Sequence, residues 1–273
     1  MQSYARLLDE LPRRGVHIIA AHTVRKRKDL RRTIAQAVKN GAGVIAVVGG
    51  DGTQTAAVAE LAHTQATLAV VPGGTGNSFA LSLGIDSFER AMDAIVSGKE
   101  RQVDVGVVNG TRFANFATIG LFAQAADDTS KPLKRILGPI AYGIAVLRGL
   151  PRAKPFRIRV YRQGGELDFC THQAIVASGR FFGWQALTPD ASVYDEKLAF
   201  FAAEGASDGD VLKTNAALLR GDQTQLEGAH YFSAKAIDIR TKPRQPLNID
   251  GHAAGKTPAK FKVEPRALRV LVP

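Results

Sequence analysis

An α/β layer built on a parallel sheet, followed by a mainly antiparallel β-domain, is the fold class this chain predicts. Three observations lead there. Helix-period segments alternate with unbroken apolar runs up to about residue 102. Two glycine-rich turns in the same stretch each join an apolar run to a helical one. From Val103 onward, period-two alternation and hairpin signals take over. The expected division is therefore an α/β unit over residues 1–102 and a β unit over residues 103–273.

In the first unit, Leu30, Ile34, Ala37 and Val38 share one helix face, and Gly41 stands where that helix should stop. Gly43–Val48 is continuously apolar, as expected of a strand covered on both faces. A helix is expected over Thr53–Ala62, a second buried strand over Thr67–Val71, and a helix over Phe88–Val96 ended by Gly98. In the second unit, Asn109–Gly110 predicts a hairpin turn. Ile158 and Val160 alternate with Arg157 and Arg159, and Gly164–Gly165 turns the chain into one strand over Leu167–Val176. Lys197–Ala203, Tyr231–Arg240, Pro246–Ile249, Phe261–Val263 and Leu268–Val272 are further expected strands, with helices at Pro139–Leu150 and Asp208–Leu219. Repeats and long linkers are absent, so the two units are expected to pack with a cleft between them.

With 45% hydrophobic and 22% charged residues among 273, the chain has the composition of a globular protein. A single cysteine, Cys170, excludes an internal disulfide framework and is expected to be a buried, inert thiol in a strand. Residues 1–11 include Asp9 and Glu10 and lack the apolar region of a secretory signal. No apolar run approaches the roughly 18 residues that span a bilayer. A cytoplasmic location, peripheral at the inner face of the membrane, is expected. The net charge of +11 calls for anionic partners. Lys131, Lys134, Arg135, Arg148, Arg152, Lys154, Arg157, Arg159 and Arg162 form a stretch without an acidic residue, surrounding the apolar Ile140–Leu150. That stretch is a candidate for docking on an anionic membrane surface. A second cluster, Arg25, Lys26, Arg27, Lys28, Arg31 and Arg32, reads as a solvated face. Zinc-ligand spacing and aromatic-basic patterning do not accompany them, so nucleic acid is not an expected partner. His17, His22, His63, His172 and His230 have no ligand spacing, and Trp184 reads as core or cleft wall.

Chemistry concentrates in the glycine-rich turns. Gly49-Gly50-Asp51-Gly52-Thr53 follows a strand and opens a helix, where backbone N–H groups and the positive helix end favour a phosphate. Glycines let a polyphosphate approach the backbone. Asp51, an acceptor among donors, suits a ribose or a magnesium-bound water. Pro72-Gly73-Gly74-Thr75-Gly76-Asn77-Ser78-Phe79-Ala80 repeats the arrangement. Both turns are expected at the carboxyl edge of neighbouring parallel strands, where open α/β sheets bind ligands. Neither is a Walker P-loop, since no Gly-Lys-Ser/Thr follows.

The pair of motifs resembles the diacylglycerol kinase catalytic domain family, which includes bacterial lipid kinases and the sphingosine and ceramide kinases. The resemblance continues through Val103-Asp104-Val105-Gly106, Phe113-Ala114-Asn115, Gly179 to Gly183, Leu187 to Ala191 with Asp195 and Leu198, Asn248-Ile249-Asp250-Gly251, and Ala267 to Pro273. It implies a phosphofructokinase-like α/β domain beside a β-sandwich, with ATP in the cleft and a lipid alcohol as acceptor. By position, Gly49, Gly50, Asp51, Gly52, Thr53, Gln54 and Thr55 would bind nucleotide. Gly74, Thr75 and Asn77 would join them, as would Thr23 at the end of an early strand. Asp195 would serve a structural Mg2+ with carbonyls near Ser192 and Lys197. The family's proton-accepting glutamate falls at His252, a neutral imidazole able to take a proton near pH 7, with Asp250 as a substitute base. Ser78, Glu196 and Ala56 are further departures, and the family's opening strand and Asn-Pro loop have no counterpart in this sequence. A catalytically impaired relative that binds nucleotide or lipid is the alternative reading. NAD kinase, which shares the Gly-Gly-Asp-Gly motif, is a minor one.

Overall fold

The computed structural model describes residues 2–128, 154–182, 185–188 and 190–273. The helix expected at Pro139–Leu150, Trp184 and most of the basic stretch from Lys131 lie outside the described residues.

Helix α1 (Gln2–Arg13) leads through a connection to α2 (Arg27–Lys39), then β1 (Val44–Gly49), α3 (Asp51–Leu61), β2 (Thr67–Pro72), α4 (Ser78–Ser82) and α5 (Phe88–Ser97). β1 and β2 are parallel, as the alternating pattern predicts. Ser87 caps α5 by accepting from the Arg90 N–H, and Gly98 closes it. α1 lays Leu7 and Leu11 into the core, and Arg6 and Arg14 pair with Glu89 and Asp93 of α5. One expectation fails here. β1 is not covered on both faces: Val44 is 54% exposed and Ala46 is open as well. Val44 and Ala46 share one face of β1, which is open, while Val47 on the other face is buried; among the described residues β1 pairs only with β2.

The second half contributes β3 (Lys99–Val108), β4 (Thr111–Phe113), β5 (Phe116–Gly120), α6 (Leu121–Asp128), β6 (Phe156–Arg162), β7 (Gly165–Thr171), β8 (Gln173–Ala177), β9 (Phe181–Phe182), β10 (Gln185–Ala186) and β11 (Leu198–Ala203). α7 (Asp208–Arg220), β12 (Ala229–Ala234), β13 (Ala236–Lys242), β14 (Pro246–Ile249), β15 (His252–Lys256) and β16 (Ala259–Val272) complete it. The Asn109–Gly110 turn joins β3 to β4 as expected.

The first sheet has eight strands, in the order β1-β2-β16-β13-β6-β7, with β3 and β4 on the other side of β16. The second has six, ordered β12-β11-β8-β5-β14-β15. Phe113, Phe156, Ile158 and Val160 of the first face Ile119, Val176, Phe200 and Leu247 of the second in a sandwich core. Leu121 and Phe122 of α6 and Val211 and Leu218 of α7 cover the outer face of the second sheet. β8 and β11 are therefore buried on both sides and lose the period-two pattern. The boundary expected at residues 102/103 falls within β3, which pairs along its length with β16. β16 pairs parallel with β2 and antiparallel with β13, so one strand belongs to both units.

Two single strands expected from the sequence are pairs of strands. Tyr231–Arg240 divides between β12 and β13, in different sheets. Leu167–Val176 breaks at His172, where the chain crosses from the first sheet to the second. Cys170 is exposed rather than buried, because Phe169 and Thr171 take the inward positions of β7.

At that crossing His172 is 5% exposed and its Nε2 has no hydrogen-bond partner. Burial lowers its pKa, against the opposing charges of Asp210 and Asp208. A histidine held neutral in the fold binds its proton more readily when unfolded. Its contribution to stability is therefore present above the unfolded value of about 6.5 and is lost as pH falls through the lower folded value. Urea unfolding should thus show a lower midpoint at pH 5.5 than at pH 7.5. His172→Gln should narrow that gap, and an unchanged gap would remove His172 as its source.

Candidate active site

Two strand-to-helix turns meet at the carboxyl edge of the parallel pair. Gly49 and Pro72 are register partners, so the turn from β1 into α3 and the turn from β2 into α4 lie side by side. A Cβ on Gly74 would stand 2.5 Å from the Gly50 Cα, and one on Gly50 would stand 3.0 Å from the Gly74 Cα. Only glycine permits this backbone contact.

Buried Gln54 braces the turns from below, its Nε2 donating to the carbonyls of Val47 (3.0 Å), Gly49 (3.2 Å) and Val71 (3.3 Å). Asn77, with φ of +53°, accepts at Oδ1 from the Gly74 N–H and donates from Nδ2 to the Gly74 carbonyl, both at 2.9 Å. The side chains of Gln54 and Asn77 therefore shape the turns, whereas Gly74 and Thr75 are exposed at their rim. The N-cap residue of α3 is Gly50, which has no side chain to bond the N–H groups of the first turn; such a helix start favours an anion.

Asp51 reaches from one turn to the other. Its carboxylate faces the backbone N–H groups of Ser78, Phe79 and Asn77, and a Cβ on Gly76 would meet its Oδ2 at 2.7 Å. Its Oδ1 is buried without a partner. Burial, then the Asp250 charge, raise the Asp51 pKa, and the three N–H groups pull it down.

Asp250, at the end of β14, is buried and fully engaged. Oδ2 accepts from the Thr55 hydroxyl (2.7 Å) and the Ala114 N–H (2.9 Å), and Oδ1 from the N–H groups of Asn115 (3.2 Å) and Phe116 (3.0 Å). Burial raises its pKa in spite of those donors. Such a carboxylate is built to position its neighbours. His252, at the start of β15, is exposed, and its Nε2 would lie 3.5 Å from a Cβ on Gly52. The imidazole thus overlies the first turn of α3. Asp51, Gly52, Thr55, Asp250 and His252 form one cluster.

Thr23 does not end a strand: residues 16–25 form neither helix nor strand, and Thr23 is exposed in the connection to α2. Ser192, Asp195 and Lys197 share the turn that enters β11. Ser192 Oγ accepts from the Tyr194 N–H, and Asp195 Oδ1 from the Lys197 N–H at 2.9 Å. Burial raises the Asp195 pKa, offset by the Lys197 N–H, with the Asp104 charge adding to the rise. Asp104 stands in the Val103–Gly106 motif of the sequence, which gave it no role. It accepts from the N–H groups of Glu196 (2.6 Å) and Arg266 (2.8 Å), which come together only through the fold. Among the described residues no three His, Cys, Asp or Glu side chains group as metal ligands. A cation beside Asp195 would rest on its carboxylate and on backbone oxygens, a donor set of the kind magnesium takes.

The profile of the diacylglycerol kinase catalytic domain family matches residues 2–108. That of the YegS C-terminal NAD kinase beta sandwich-like domain matches residues 116–272. A protein of Staphylococcus aureus (strain bovine RF122), named diacylglycerol kinase, is 30% identical over 93% of this chain and 82% of its own length. Another of that name, from Bacillus subtilis (strain 168), is 29% identical over 84% of this chain and 78% of its own. Two solved structures from Bacillus anthracis strain Sterne share the fold. One is 22% identical with a TM-score of 0.80, covering 100% of this chain and 92% of its own. The other, described as a diacylglycerol kinase, is 19% identical with a TM-score of 0.70, covering 93% and 84%.

Two substitutions test the assembly of the site. Gly74→Ala should push the turns apart and lower stability by about 1–3 kcal/mol in urea unfolding. Asp250→Ala strands three backbone N–H groups and a hydroxyl, and should cost about 1–3 kcal/mol; a loss under about 1 kcal/mol would refute the bracing role.

Proposed function

This chain belongs to the diacylglycerol kinase family and is a lipid kinase, and from that premise we propose that it transfers the γ-phosphoryl group of ATP to the hydroxyl of a lipid such as diacylglycerol. The observation that carries the reading is the close pair of glycine-rich turns, with the partnerless Asp51 Oδ1 between them and His252 at their rim. Phosphoryl transfer asks a protein mainly for positioning and for neutralisation of charge. Gly50, Gly52 and Thr53 would cradle phosphates at the N-terminus of α3, and the rim residues Gly74 and Thr75 would bound the nucleotide.

His252 is the base assigned to the lipid hydroxyl, its ring nitrogen taking the proton as the oxygen attacks phosphorus. Asp250 acts beside it as a positioning group, since its oxygens already accept four hydrogen bonds. The buried Asp51 Oδ1 suits a hydroxyl or a magnesium-bound water at the nucleotide. Charge neutralisation at the phosphates is what magnesium supplies when bound, and Asp195 with the carbonyls of Ser192 and Lys197 would hold a structural ion. No described helix is long and apolar enough to cross a membrane, and the lipid would be taken at an anionic membrane surface to which this basic chain is drawn.

Labelled γ-phosphate from ATP should appear on diacylglycerol within a panel of lipid alcohols and NAD in mixed micelles with magnesium. Asp51→Ala and His252→Ala should each lower kcat by about 10²-fold or more. In the residual activity of His252→Ala, where no imidazole titrates at the site, the acid limb should lie above the ordinary carboxylate value of about 3.9, because Asp51 ionises late and must be charged to work. No labelled acceptor from folded protein would favour a relative that only binds; label on NAD alone would make it an NAD kinase.

A further inference from the structure

The basic cluster that opens α2 is only partly neutralised. Arg31 pairs with Glu60 of α3, and Arg32 with Asp29. Among the described residues, no carboxylate lies within ion-pair distance of Arg27, the first residue of the helix. Its position follows from the chain path. α2 enters β1 and α3 leaves it through short connections, so both run against the strand and parallel to one another. Arg27 precedes Arg31 by four residues, on the same helix face and about 6 Å nearer the helix start. Arg31 is anchored near the end of α3, so Arg27 is carried toward the first turns of α3, where the glycine-rich turns and Thr55 lie. An arginine side chain can span the remainder.

The charge environment agrees with that placement. Neighbouring atoms desolvate the guanidinium and lower its pKa, and the buried Asp250 charge pulls it back up. Asp250 cannot be its partner in a direct pair, because both carboxylate oxygens are taken by Thr55 and the 114–116 backbone. A guanidinium beside a phosphate cradle, without a carboxylate of its own, matches the planar, bidentate geometry of phosphate oxygens.

We propose that Arg27 binds the terminal phosphates of the nucleotide and so sets the preference for triphosphate over monophosphate. The inference rests on the kinase reading above. Its test is titration of mant-ATP and mant-AMP into the wild type, Arg27→Gln, Arg27→Lys and the neighbouring Lys28→Gln. Arg27→Gln should weaken mant-ATP about tenfold and leave mant-AMP unchanged. Arg27→Lys should recover part of the loss, and Lys28→Gln should bind as wild type. Unchanged mant-ATP affinity in Arg27→Gln, or equal losses for both nucleotides, overturns the role of Arg27 and leaves the kinase reading standing. Failure of the wild type to bind mant-ATP overturns both.

Discussion

The Asp250 carboxylate accepts one hydrogen bond from α3 and three from the backbone that joins β4 to β5. It thereby fastens the helix that carries the first glycine-rich turn to the strand pair that begins the sandwich. Removing a carboxylate from water costs several kcal/mol. Four donors offset that cost without cancelling it, since the group remains harder to ionise than a free aspartate. Such an arrangement is a poor source of bulk stability and a good source of geometry. Thr55, Asp250 and the entry to β15 are held in one relation, so His252 rises over Gly52 instead of elsewhere on the surface.

A second carboxylate repeats the device. Asp104 in β3 receives N–H groups from Glu196, in the turn that holds Asp195, and from Arg266, in β16. Arg266 sits where the register of β16 against β3 shifts, with φ of +49°. The irregularity lets one strand serve β13 with its first part and β2 with its last. Apart from the Thr55 hydroxyl on Asp250, both carboxylates bind backbone N–H groups, and so fix main-chain path at the places where the two units join.

The glycine turns were legible in the sequence because their meaning is local: strand, glycines, helix. The parallel pair, the β3–β4 hairpin and the helix at Asp208 were legible for the same reason. Juxtapositions were not. Thr55 and Asp250 are 195 residues apart, and nothing near either announces the other. Cys170 was misread because alternation tells which residues share a face but not which face is inward, and the break at His172 was invisible to it. The apolar run in β1 indicated a strand without telling how many of its sides would be covered. The carry-over of Thr23 depended on a strand that the connection to α2 does not form.

β16 spans 14 residues and supplies the inner neighbour of β2. The sheet that presents both glycine-rich turns is therefore closed by a segment that leaves the ribosome after every other described strand. An emerging chain has its helices and the β1–β2 pair long before that strand exists, and must hold β2 with one edge open until it arrives. Long-range closure of this kind slows folding and exposes strand edges meanwhile. The paired glycine-rich turns therefore stand on a sheet that is fully backed only once β16 has docked beside β2.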